Sequence, residues 1–296
     1  MRGGGALVAA VVLSVVACGP GPEETMPSVT GATSEGEGTS PPTAVESTVV
    51  AETPGDPAGE TDRPFGVVDV FVPGGSSGDR LVVIVPGGGW IDADPAGLVP
   101  LAQALADAGN VAVTTTYRAS ADGAHFPVPA GDVVCAIGSA VEVSNAAGFP
   151  ADEIVVVGHS AGAHLASLVA LRPDDFGADC PAASPAPDRL VGLAGPYDVA
   201  QARTPAIELF GPENPDPANW DAGNPAAHAG QRPELDVLLA HGTADDVVPT
   251  FFTEAFADAL RTAGHDVEEV YIDGADHHSV YSADTAAPLI VDWLDG

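Results

Sequence analysis

The stretch Ile154-Val155-Val156-Val157-Gly158-His159-Ser160-Ala161-Gly162 constrains this chain more than any other. Four consecutive β-branched residues, Ile154–Val157, read as a strand buried on both faces. Ala161–Leu171 reads as a helix, ended by Pro173. Gly-x-Ser-x-Gly stands between them. A turn this tight leaves no room for large side chains beside the serine. It holds the serine on a strained backbone with its hydroxyl above the strand ends. The helix that follows points its free N–H groups and its positive dipole end at the same spot.

The surrounding sequence keeps the same rhythm. Val67–Val72, Leu81–Val85, Val111–Thr116, Leu190–Leu193, Asp236–Ala240 and Val267–Ile272 read as further strands. Leu98–Ala108, Asp132–Ala147, Thr250–Ala263 and Thr285–Leu294 read as helices. Alternation with short loops predicts an α/β fold: a mostly parallel sheet with helices on both faces. Asp198–Pro233, rich in Pro, Asn and Ala, breaks the alternation and reads as a small cap insertion.

The first 62 residues differ in kind. Ala6–Val16 is an apolar run too short to span about 30 Å of hydrocarbon. It leads through Ala17 into Cys18, which resembles a bacterial lipobox: residues 1–17 a signal peptide, and Cys18 the lipidated residue. The rival is a signal cut nearby, a secreted product, and a Cys18 that is merely present. Residues 18–62 are Pro, Gly, Ser and Thr with nine acids and no base, the composition of a disordered acidic linker. The catalytic domain is then 63–296, with the membrane reached only through the N-terminal lipid.

Charge narrows the partners. The chain holds 9 basic residues, all Arg, against 42 acids, a net charge of −33. From Arg63 onward there are 33 acids and eight Arg, so most of the acidity belongs to the folded part. No nucleic acid partner is expected, because phosphate neutralisation needs a basic face. Neutral or cationic small-molecule or carbohydrate-linked substrates are favoured over anionic ones.

Two further elements supply chemistry. Pro86-Gly87-Gly88-Gly89-Trp90 follows a buried strand, and the N–H groups of Gly88 and Gly89, with that of Ala161, suit an oxyanion hole. A Walker A phosphate loop is excluded by the absence of Lys, and no Gly-x-Gly-x-x-Gly is present. Acyl transfer also needs a base and an orienting acid, in the order serine, acid, histidine. His241-Gly242-Thr243-Ala244-Asp245-Asp246-Val247-Val248-Pro249 and Gly274-Ala275-Asp276-His277-His278-Ser279 each close a strand. Residue types alone leave Asp245 against Asp246, and His277 against His278.

Together, Pro-Gly-Gly-Gly-Trp, Gly-His-Ser-Ala-Gly-Ala-His-Leu, His-Gly-Thr-Ala-Asp-x-x-Val-Pro and Gly-Ala-Asp-His-x-Ser resemble the α/β-hydrolase esterases. The nearest branch groups bacterial carboxylesterases and feruloyl esterases with kynurenine formamidase and hormone-sensitive-lipase-like enzymes. The resemblance covers roughly residues 65–295. It implies a serine esterase without cofactor, with Ser160 as nucleophile, Asp245 as acid and His277 as base. Tyr117-Arg118 and Gly195-Pro196-Tyr197-Asp198 also match. Pro86 departs from the pattern: many relatives have His there, and proline fixes φ but cannot brace the loop through a side-chain hydrogen bond. The rivals are an arylformamidase, which is usually cytoplasmic; a prolyl-type peptidase, for whose propeller there is no room; and a non-catalytic surface-binding protein.

Other residues carry weaker signals. Trp90 reads either as a wall of the substrate pocket or as a core anchor. His159, beside the serine, reads as packing or as a substrate contact. His164 reads as buried and structural, and His241 as holding a loop. Metal-ligand spacing is absent. With Cys18 assigned to lipid and the compartment oxidising, Cys135 and Cys180 are expected to form a disulfide, two buried thiols being the alternative.

Overall fold

The computed structural model describes residues 66–74, 79–211 and 216–296. The signal at 1–17, the linker at 18–62 and Cys18 lie outside the described residues. Seven strands form one sheet: β1 (Gly66–Phe71), β2 (Arg80–Val85), β3 (Val111–Thr116), β4 (Glu153–His159), β5 (Arg189–Leu193), β6 (Asp236–Gly242) and β7 (Val267–Ile272). Their order is β1-β3-β2-β4-β5-β6-β7. Only β1 pairs antiparallel; the other neighbours run parallel.

The central strands are apolar on both faces because helices cover both. Along β2, Leu81, Val83 and Val85 enter one half of the core, and Val82 and Ile84 the other. The described α-helices are α1 (Val99–Asp107), α2 (Val128–Ala146), α3 (Ala161–Leu171), α4 (Ile207–Phe210), α5 (Pro217–Ala222), α6 (Phe251–Ala263) and α7 (Ala283–Asp295). The first half of the core takes α2, α3 and α6, through side chains such as Val133, Ile137, Leu165, Phe256 and Leu260. The second takes α1 and α7, through Leu101, Leu105, Ile290 and Leu294. This is the α/β-hydrolase arrangement that the motifs implied.

Two helix starts differ from expectation. Helix α2 begins at Val128, ahead of the expected Asp132, because Pro129 falls in its first turn, where a missing N–H leaves no bond unmade. Helix α7 begins at Ala283 rather than Thr285 and runs through Pro288.

The 198–233 insertion carries the two short helices α4 and α5 and a 3-10 turn, Pro225–His228. Hydrogen bonds to α3 and to Arg172, its C-cap, hold the insertion in place. His164 Nε2 donates to the Gly223 carbonyl at 2.8 Å, and Arg172 Nη1 donates to the Ala222 carbonyl at 2.7 Å. Trp220 stacks on Phe210 with ring centroids 4.3 Å apart.

Cys135 of α2 and Cys180 are bonded across 45 residues, with Cα atoms 5.0 Å apart. Closing such a loop in the unfolded chain is worth about 3–4 kcal/mol in the chain-entropy account. Replacing both cysteines by serine is therefore expected to lower the unfolding free energy by that amount. Urea melts of the two proteins check it, and coincident midpoints would refute it.

Candidate active site

Ser160 sits between β4 and α3 with φ 53° and ψ −123°, in a region that costs a non-glycine residue about 1–3 kcal/mol. Close packing enforces the conformation. A Cβ on Gly158 would lie 2.4 Å from the Gly162 carbonyl oxygen, and one on Gly162 would lie 2.3 Å from that of Val85. Both contacts are to backbone, which cannot swing aside. Gly162→Ala is expected to destabilise the protein by about 3 kcal/mol, the upper end of overpacking costs. Its melting temperature and soluble yield report this; an unshifted melt would contradict it.

Three elements deliver side chains to one line. His277, in the loop after β7, has Nε2 2.9 Å from Ser160 Oγ and Nδ1 2.7 Å from Asp245 Oδ2. The carboxylate accepts from Nδ1–H, which leaves Nε2 unprotonated and facing the serine hydroxyl. Asp245 follows β6, and its side chain is fully buried. Its Oδ1 accepts the N–H groups of Val247 and Val248, each at 2.8 Å. Burial works against its charge, but the hydrogen bond from His277 and those two N–H donors prevail, and its pKa lies below the ordinary value. Asp246 and His278 are exposed instead.

The glycine loop lies against this line. A Cβ on Gly87 would be 3.0 Å from Ser160 Cβ. The N–H groups of Ile91 and Asp92 donate to the Gly88 carbonyl at 3.0 and 3.3 Å, closing the loop on itself. Tyr117 Oη donates to the Pro86 carbonyl at 3.2 Å. The loop is thus braced through the backbone of the proline whose side chain cannot do it. Arg118 is fixed by a forked pair with Asp132, at 2.6 and 2.9 Å.

The expected substrate contacts lie deeper than a pocket wall. Trp90 is 2% exposed and packs edge-on against His164 at 5.1 Å, the placement of a core anchor. His159 is buried, and its Nε2 donates to the His277 carbonyl at 2.8 Å. Tyr281 packs on His159 at 4.4 Å and lies near the exposed His278. Sequence reasoning missed Tyr281; its one signal was an aromatic residue four positions after His277. Among the described residues no group of three or more His, Cys, Asp or Glu could hold a metal ion, and no helix is long and apolar enough to cross a membrane. A cavity of about 610 Å³ opens elsewhere, at the C-terminal end of α3, beside Arg172, His228 and Arg232.

Two buried histidines contribute strongly to the acid response. Burial, with His277 adding to it, lowers the pKa of His159 to about 3, and burial lowers that of His164 to about 4. Below about pH 6.5 the unfolded chain takes up protons at these sites that the native protein refuses, so stability falls as pH falls. At pH 5 the loss is about 2 kcal/mol per histidine, or about 10 °C in melting temperature for both. Thermal melts at pH 7 and pH 5 check this; equal values would refute it.

Known proteins are similar to this chain. Residues 68–260 match the BD-FAE family model. Esterase LipQ of Mycobacterium tuberculosis is 32% identical over 203 residues, 62% of this chain and 46% of that protein. The probable carboxylic ester hydrolase LipM of the same organism is 31% identical over 192 residues, 60% of this chain and 44% of that protein. The chain spans about half the length of the curated relatives it matches. Among solved structures, an acetyl ester-xyloside bifunctional hydrolase from Caldicellulosiruptor lactoaceticus superposes with a TM-score of 0.68 at 25% identity, covering 81% of this chain and 91% of that one. The matched span contains the glycine loop, Ser160 and Asp245, with His277 just beyond it, and this chain belongs to the BD-FAE family.

Proposed function

We propose that this protein is an exported serine esterase that cleaves a carboxylic ester through an acyl-enzyme. The observation that carries the reading is the unbroken line from Ser160 Oγ to His277 at 2.9 Å and on to Asp245 at 2.7 Å, beside a glycine loop. Ser160 Oγ attacks the ester carbonyl as its proton passes to His277 Nε2. Asp245 holds the ring in place and stabilises the imidazolium that forms. The new oxyanion sits among the N–H groups of Gly88, Gly89 and Ala161. None of these three donates to a backbone carbonyl in the loop and turn bonds of the described residues. The tetrahedral state collapses, the C–O bond to the alcohol breaks, and His277 returns the proton to the leaving oxygen. Water then repeats the sequence on the acyl-enzyme, with His277 again as base, releasing the acid and free Ser160.

The substrates are short-chain or carbohydrate-linked esters. A small cap supports this, as does the likeness to a hydrolase named for acetyl esters and xylosides. Cys18 is the lipid attachment point, with 18–62 as the tether, and the rival is a secreted protein. A p-nitrophenyl ester series with a fluorophosphonate probe tests the activity. The expected results are labelling of Ser160 and a rate that peaks at short chains. A folded protein that neither labels nor hydrolyses would sink the esterase, and a peak at C12 or longer would sink the substrate class. Metabolic labelling with a radioactive fatty acid, lost in Cys18→Ala, tests the anchor.

A further inference from the structure

A second histidine touches Asp245, and the chemistry above does not use it. His241 is the penultimate residue of β6, and its side chain is fully buried. Its Nε2 lies 2.8 Å from the Val248 carbonyl oxygen and 3.2 Å from Asp245 Oδ2, while its Nδ1 lies 2.7 Å from Thr253 Oγ1. Two oxygens without protons lie near Nε2, so Nε2 carries the hydrogen: it bonds the Val248 carbonyl and lies against Asp245. The Thr253 hydroxyl, buried in the first turn of α6, then donates to Nδ1. Burial lowers the pKa of the ring against the pull of the Val248 carbonyl and Asp245, so the ring is neutral.

Asp245 Oδ2 thereby accepts from His277 Nδ1–H and, 3.2 Å away, meets the polar edge of His241, whose Nε2–H bonds the Val248 carbonyl. The bonds from Val247 and Val248 to Oδ1 lie within the loop and shape it. His241 bonds the far limb of the loop at Val248, lies against Asp245 and bonds Thr253, and so ties the loop to β6 and α6. The opposite tautomer would turn the Nε2 lone pair toward two acceptor oxygens and push the loop away.

We infer that Thr253 and His241 are positioning residues: the Thr253 hydroxyl fixes the His241 tautomer, and the His241 Nε2–H holds Asp245 Oδ2 where His277 Nδ1 meets it. The inference rests on the esterase reading for its effect on rate, since neither residue touches substrate.

Thr253→Val removes the hydroxyl at nearly constant volume, and Thr253→Ser keeps it. Hydrolysis of p-nitrophenyl acetate by T253V is expected to show a kcat about tenfold below that of T253S, the factor expected for one lost hydrogen bond on this line. KM is expected to stay unchanged. The downfield proton NMR resonance of the His277–Asp245 hydrogen bond should shift or broaden in T253V and hold in T253S. His241→Met should lose more rate than T253V, and His241→Gln, which keeps an N–H donor of similar reach, should recover part of it. Equal kcat and an equal resonance in folded T253V and T253S would overturn the relay. So would a loss in T253V that falls on KM alone. If the wild-type protein neither labels nor turns over, the esterase reading fails instead. The resonance, read on the resting protein, still decides the relay.

Discussion

Ser160→Ala is expected to lower kcat on a short-chain ester by about 10⁶-fold, the scale on which removal of a serine nucleophile acts in a working triad. The loss is this large because Oγ makes the bond that defines the acyl-enzyme, and no neighbour can replace it. Thr253 Oγ1 is occupied by His241, and Ser279 Oγ bonds Asp276. Residual activity over water would come from the glycine loop and binding alone. The fold should be unaffected, since alanine meets the same backbone at φ 53° and leaves Gly158 and Gly162 in contact. Steady-state kinetics, a thermal melt and fluorophosphonate labelling measure the three parts. Persistent labelling elsewhere in S160A, with activity retained, would move the nucleophile to another residue.

Asp245→Asn carries the second largest effect, about 10⁴-fold in kcat. Asparagine fills the same space, so the melt should change little. The defect is one of proton placement. The two backbone donors on Oδ1 orient the amide with its oxygen toward Val247 and Val248 and its NH₂ toward His277. A donor now faces Nδ1, which must become the unprotonated nitrogen, and Nε2 then carries the hydrogen toward Ser160. The base is lost although the side chain keeps its shape. The amide would also present a donor to His241 Nε2–H. Asp246→Asn, one position away on the exposed side, is the control. An Asp245→Asn enzyme within tenfold of wild type would remove Asp245 from the chemistry.

Most of the scaffold was legible because the buried strands are runs of β-branched residues that few other structures tolerate. Ile154–Val157 and Leu81–Val85 fall inside β4 and β2. The start of α2 was not legible: Pro129 reads as a breaker, and only its place in the first turn makes it compatible. The choice between Asp245 and Asp246 lies beyond residue type as well. It depends on which acid turns inward, and that is set by Val247, Val248 and His241, three contacts made only once the loop closes. Trp90 kept two readings open because its position after the glycines fits both. Its φ of 61° turns the ring into the core. Tyr117 was visible as a match, but its brace on Pro86 requires two strands to be neighbours.

The two bonds from His164 and Arg172 to the cap have a consequence for how substrates arrive. His164 stands on the helix whose first turn carries the nucleophile and Arg172 caps its far end, so the 198–233 insertion is fastened to the element that positions Ser160. An insertion held to that helix along its length is not built to swing away when an oil droplet or micelle approaches. Turnover should rise smoothly with dissolved ester and show no jump at the onset of aggregation.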